Sequence, residues 1–70
     1  ALPRVLLIED DEHFRAGLVA SLQLAGATLQ AFGRGAPALR ALGAGGFDVV
    51  LTDLRLPDMD GLEILAACHQ

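Results

Sequence analysis

Apolar positions along the chain switch between two kinds of spacing. Val5-Leu6-Leu7-Ile8 is an unbroken apolar run stopped by the acids Glu9 to Glu12, and it reads as a strand buried on both faces. Phe14, Leu18, Leu22 and Ala25 then recur at steps of four, four and three, the stripe of an amphipathic helix. Asp11 or a neighbouring acid is placed to cap its start, and Gly26 stands where a left-handed C-terminal residue is wanted. Ala27 to Phe32 predicts a second, weaker strand, and Gly33-Arg34-Gly35 a turn. Pro37 fits the first turn of a helix of about two turns carrying Leu39 and Leu42, which Gly43 to Gly46 end. Phe47 to Thr52 is the third strand, apolar without alternation from Val49 to Leu51. After a polar loop, Gly61 to His69 predicts a third helix with Leu62, Leu65 and Ala66 on one side.

The order is βαβαβα. Nearly continuous apolar strands separated by helices imply an α/β fold with a parallel sheet covered on both faces, the doubly wound class. No repeat, low-complexity tract or interdomain linker interrupts it, and the glycines at 43 to 46 lie between regular elements.

Composition sharpens this picture at three points. Seventy residues, 53% of them hydrophobic, form one small domain with too much Leu, Val and Ala for disorder. A chain of this size buries only about 60% of the surface its unfolded form exposes. Such an apolar short chain either lacks part of its domain or covers its apolar surface with a partner. The net charge is −4, all five basic residues are arginines, and aromatics make up 4%, which argues against direct nucleic-acid binding by this segment. Cys68 alone allows neither an internal disulfide nor a zinc cage, suits a reducing cytosol, and reads as a small hydrophobe on a helix. With no apolar run of membrane-spanning length and no signal-peptide layout, the expectation is a soluble, cytoplasmic chain without a membrane partner.

The carboxyl ends of parallel strands share one edge, where ligands bind. Glu9 and Asp10 follow the first strand and Asp53 follows the third. In the usual winding these strands are neighbours, so the acids converge. Two unit charges about 4 Å apart repel by roughly 4 kcal/mol at an effective dielectric near 20, so the cluster calls for raised pKa values, a cation, or both. Mg²⁺, small, hard and inclined to retain waters, fits oxygen donors of this kind. It would also neutralise an incoming phosphoryl group, which an aspartate held there can attack in line to form an acyl phosphate.

The segment Asp53-Leu54-Arg55-Leu56-Pro57-Asp58-Met59-Asp60-Gly61 resembles the pattern D-x-x-[ML]-P-x-[ML]-[DN]-G of response-regulator receiver domains. Phe47 to Thr52 is similar to that family's third strand, and Val5 to Asp11 to its opening strand and acidic pair. The resemblance implies a flavodoxin-like fold and a module that takes a phosphoryl group from a sensor histidine kinase. It implies Asp53 as phospho-acceptor, Asp10 as a direct Mg²⁺ ligand, Glu9 as a ligand through water, and the backbone carbonyl of Arg55 as the remaining protein ligand. Glu9 stands where many members carry aspartate. Pro57 and Gly61 would shape the loop, the glycine by permitting the turn into the third helix. Asp58 and Asp60 read as turn residues and a helix N-terminal cap rather than ligands.

Receivers resembling this chain have five strands, with a Ser or Thr after the fourth and a Lys after the fifth to bind phosphoryl oxygens. This sequence ends after the third helix, has no lysine, and carries Thr52 on the wrong strand to substitute. The expectation is a truncated receiver spanning 1–70, the first three βα units, with the acceptor and metal half of the site. It would not be an enzyme, beyond weak self-catalysed phosphorylation and dephosphorylation. The parent would pass its signal to an effector, often a DNA-binding domain.

Three other chemistries compete. Gly33-x-Gly35-x-x-Ala38, with Asp53 about twenty residues on, satisfies a dinucleotide-binding fingerprint, but leaves Glu9, Asp10 and the Pro57 loop unexplained. An aspartyl-phosphate hydrolase of the haloacid dehalogenase type wants a second acid where Arg55 stands. An EF-hand aligned on Asp60-Gly61 places Leu56 at its first position and Ala67 at its last. His13, near a helix start, and His69, near the chain end, have no catalytic partners. A different possibility is an interaction fragment: an unpaired third-strand edge recruits other chains, giving self-association that buries Val49, Val50 and Leu51.

Overall fold

The computed structural model of the protein describes residues 2–68. Its elements are β1 (Arg4–Ile8), α1 (Glu12–Leu24), β2 (Thr28–Phe32), α2 (Gly35–Ala44), β3 (Val49–Thr52) and α3 (Gly61–Cys68). The strands form one parallel sheet in the order β2-β1-β3. β1 is therefore the central strand, and its continuous apolar run follows from that place. Leu6 and Ile8 face one side, Val5 and Leu7 the other, and all are buried.

The main core lies on the Leu6–Ile8 side, where Ala38 of α2 and Ile64 of α3 are fully buried with Phe32, Leu39, Leu42, Phe47, Val50 and Met59 around them. On the opposite side α1 packs against β2. Asp11 caps α1 by accepting from the Phe14 amide at 2.8 Å, and Gly26 takes the left-handed conformation at its end, φ 99°.

Five local expectations change. α2 runs ten residues, nearly three turns, because Gly43 stays helical and the chain turns only at Gly45, φ 80°. β3 begins at Val49 rather than Phe47. The stripe on α1 is not buried: Phe14 is 58% exposed and Ala25 is exposed, while Leu18 and Leu22 are half-buried. α3 turns a different face inward. Leu62 is 62% exposed, Leu65 is 40% exposed and Ala66 is exposed, whereas Gly61 and Ile64 are buried. The helix is apolar on nearly every side, so spacing alone does not select a face; the close seating of Gly61 against β3's exit does. Cys68 is exposed at the end of α3, not packed as a hydrophobe, and His69 lies outside the described residues.

Candidate functional site

The ladder registers Ile8 opposite Thr52 and continues one step further, since the Asp53 amide donates to the Ile8 carbonyl at 3.2 Å. On β1's other flank the Glu9 amide donates to the Phe32 carbonyl at 2.9 Å. Glu9 and Asp53 are thus both held by sheet-like hydrogen bonds at one rim. Glu9, Asp10 and Asp53 each offer a carboxylate oxygen, and these lie within 4.8 Å of one another. Glu9 is buried, Asp53 half-buried and Asp10 exposed.

Charge crowding is felt at Glu9. The Asp53 carboxyl beside it, followed by burial, raises its pKa above the ordinary 4.5, while the Asp11 amide, donating at 3.2 Å, opposes the rise. No arginine neutralises the trio: among the described residues the ion pair observed is Arg34 with Asp58, at 4.0 Å. Oxygens that share one Mg²⁺ at about 2.1 Å stand roughly 3–4 Å apart. The trio lies within reach of one ion that keeps water between itself and one ligand. Three hard oxygen donors whose carboxylates form no ion pair among the described residues therefore fit the divalent ion expected from the sequence.

The loop from Asp53 to Gly61 is folded on itself. The Leu56 amide donates to the Met59 carbonyl at 2.9 Å and the Gly61 amide to the Leu54 carbonyl at 2.8 Å, with Arg55 bridged to Asp60. Glu63 reaches back to the Asp60 amide at 3.3 Å, half of a capping box that starts α3 at the expected cap. Gly61 is needed for a reason other than backbone freedom, because its φ is not positive. A Cβ there would overlap the Asp53 carbonyl oxygen and come within 3.0 Å of the Leu54 Cα. Gly61→Ala is accordingly expected to cost about 1–3 kcal/mol and to weaken Mg²⁺ binding together. Urea denaturation and a Mg²⁺ titration check this; unchanged values for both would contradict it.

Sequence reasoning missed two contacts. Arg15 Nη1 donates to the Glu9 carbonyl at 2.8 Å, and Asp58 accepts from the Gly35 and Ala36 amides at 2.7 and 2.8 Å. The second caps α2 from more than twenty residues away. These amides hold the Asp58 carboxyl below its ordinary 3.8, so the cap is complete above that pH and is lost as pH falls through the depressed value. One signal was present: Arg34 and Gly35 offer no side-chain cap for their own helix.

The glycine-rich turn is occupied in the same way. A Cβ at Gly33 would stand 2.9 Å from Arg15 Nη1, and one at Gly35 would overlap Met59. The Gly35 and Ala36 amides at the helix start, where a pyrophosphate would bind, are taken by the Asp58 carboxylate, which leaves the dinucleotide reading of Gly33, Gly35 and Ala38 without its anion site. Thr52 donates its hydroxyl to the Asp53 carbonyl at 3.0 Å, and His13 is exposed on α1.

A parallel βα sheet with a carboxylate trio at its C-terminal rim, beside a loop built on Pro57 and Gly61, defines an acidic site of the doubly wound class. Residues 5–70 match the family model of the response regulator receiver domain. The chain belongs to that family, the receiver domains of two-component signalling. It is 43% identical over 68 residues to the transcriptional activator protein PfeR of Pseudomonas aeruginosa, covering 97% of this chain and 22% of that one. Identity to the C4-dicarboxylate transport transcriptional regulatory protein DctD of Rhizobium meliloti is 41% over 64 residues, or 91% of this chain and 14% of that one. The response regulator receiver protein CpdR of Brucella abortus is 41% identical over 63 residues, covering 90% of this chain and 52% of its own length. The chain therefore spans between 14% and 52% of these relatives. Among solved structures, the chemotaxis response regulator CheY4 of Vibrio cholerae superposes with a TM-score of 0.90 at 30% identity, over 96% of this chain and 56% of that one. Flavodoxin-like topology and membership of a signalling family thus stand together.

Proposed function

We propose that Asp53 accepts a phosphoryl group from a sensor histidine kinase in a Mg²⁺-dependent reaction. The observation that carries this reading is the meeting of Glu9, Asp10 and Asp53 at one corner, in a chain of the receiver family. Asp10 would ligate the ion directly, Glu9 through water, and Arg55 by its backbone carbonyl. The ion when bound supplies charge neutralisation for the incoming phosphoryl group. Asp53 would supply the attacking oxygen, from a backbone that the sheet hydrogen bond to its amide anchors. The module acts as a phosphoryl-accepting switch, with at most slow self-catalysed gain and loss of the group. We place it in the cytoplasm, where a kinase would reach it; no helix among the described residues is long and apolar enough to cross a membrane.

Residues 1–70 are read as the first three βα units of a five-unit receiver, in keeping with the 56% of CheY4 that they cover. A DNA-binding effector in the parent protein fits the transcriptional regulators among its relatives, and this segment does not itself contact nucleic acid. Incubation with acetyl phosphate and Mg²⁺, followed by intact-mass measurement, is expected to add one phosphoryl group to the wild type and none to Asp53→Asn. A folded wild type that gains nothing argues for a module that does not signal.

One further observation concerns association. Among the described residues β3 has a neighbouring strand on one side only, and Val49 and Leu51 are 43% and 40% exposed. Val50 packs against the core, so the free surface is formed by Val49 and Leu51 alone. We propose self-association of the seventy-residue chain through this edge. Light scattering is expected to give a mass that rises with concentration; a stably folded monomer at high concentration removes the idea.

A further inference from the structure

The turn between β2 and α2 touches both halves of the acidic corner. Gly33 leaves room for the Arg15 guanidinium, which holds the Glu9 carbonyl. Gly35 leaves room for Met59, and its amide, with that of Ala36, is bound by Asp58. Asp58 is the tip of the folded loop whose base is Asp53 and Gly61. α2 has no cap from its own Arg34, so its first turn depends on a carboxylate carried by the acceptor loop. The Arg34 ion pair adds little, being 4.0 Å long with Arg34 66% exposed.

We propose that Asp58 is a positioning residue for the acidic corner: by capping α2 from the tip of the loop, it fixes the backbone between Asp53 and Gly61 in the geometry that receives the cation. The proposal rests on the corner being a cation site. Its physical basis is that the loop backbone has one set of hydrogen bonds closing its base and a second, through Asp58, anchoring its tip. With the tip released, residues 55 to 58 gain freedom that a cation held partly by loop backbone must remove on binding. Linkage then works in both directions: if the cap favours the ion, the ion favours the cap by the same factor.

The test uses Mg²⁺ alone, followed by amide shifts and hydrogen exchange in wild type, Asp58→Asn and Asp58→Ala. In the wild type, Mg²⁺ is expected to slow exchange of the Gly35 and Ala36 amides beyond any uniform rise recorded at Leu6 and Ile8, which report global opening. Asp58→Ala is expected to weaken Mg²⁺ about five-fold. Asp58→Asn, which keeps one of the two accepting oxygens but not the charge, is expected to recover part of the affinity. Equal weakening in both variants assigns the effect to lost charge and overturns the proposal. If Asp58→Ala does not fold, the wild-type exchange decides alone: protection of Gly35 and Ala36 that merely follows Leu6 and Ile8 overturns it. Absence of Mg²⁺ shifts at Glu9, Asp10 and Asp53 in the wild type would instead defeat the cation site itself, and this proposal with it.

Discussion

Asp53→Asn is expected to lose phosphoryl uptake outright while making the metal-free fold more stable at neutral pH. The amide offers no nucleophilic carboxylate oxygen, and it carries no charge to crowd Glu9. Asp53, followed by burial, raises the pKa of Glu9 above 4.5. Between 4.5 and that raised value the folded chain holds more protons than the unfolded chain, so stability falls as pH rises through the window and stays low above it. Removing the Asp53 charge relieves a repulsion of about 1 to 4 kcal/mol for charges roughly 4 Å apart, from bulk water to a near-surface dielectric. Screening at the half-exposed Asp53 favours the lower end. Mg²⁺ should offset the same penalty in the wild type, adding about 2.7 kcal/mol at a hundred times its Kd, and should do far less in the variant. Thermal melts from pH 4 to pH 8, with and without Mg²⁺, measure all of this. A variant that is less stable than wild type at pH 7 without Mg²⁺, or equally stabilised by the ion, would contradict the account.

Ile64→Ala is expected to remove a large share of the folding free energy. Ile64 is fully buried among Leu6, Ile8 and Ala38, and emptying such a position costs about 2–5 kcal/mol. At roughly 0.05–0.15 kcal/mol per residue, seventy residues have only about 3.5–10 kcal/mol in total. Leu62→Ala, two residues away but 62% exposed, should stay within about 0.5 kcal/mol of wild type. Denaturant midpoints for the pair give a direct comparison. Equal losses would mean that α3 packs by the face its sequence spacing suggests and not by the one described here.

That α3 comparison marks the limit of what sequence spacing encodes. Val5 to Ile8 could be read as a buried central strand because a parallel sheet covered on both faces demands an unbroken apolar run, and few other elements do. The acidic corner was equally legible, since strand ends in such a sheet share an edge and Glu9, Asp10 and Asp53 each follow one. α3 was not, because Leu62, Ile64, Leu65, Ala66 and Ala67 leave no polar face to orient it. Its seating is decided by the absence of a side chain at Gly61, against the Asp53 carbonyl. Asp58 capping α2 was out of reach for a related reason. Capping rules are local, and here the cap arrives from another crossover. Arg15 carries no signal in the spacing of the sequence, although its guanidinium holds the carbonyl of a site residue.

The middle strand of the sheet leaves the ribosome before the two strands that flank it. Arg4 to Ile8 wait for Thr28 to Phe32 on one flank and for Val49 to Thr52 on the other, so neither ladder can form from neighbouring sequence. Pairings this distant make folding slow for the size of the chain, and the nascent strand most in need of cover is exposed longest. Chaperone dependence during synthesis should therefore track the emergence of β3, and a pause placed before residue 49 should increase aggregation more than one placed after residue 61.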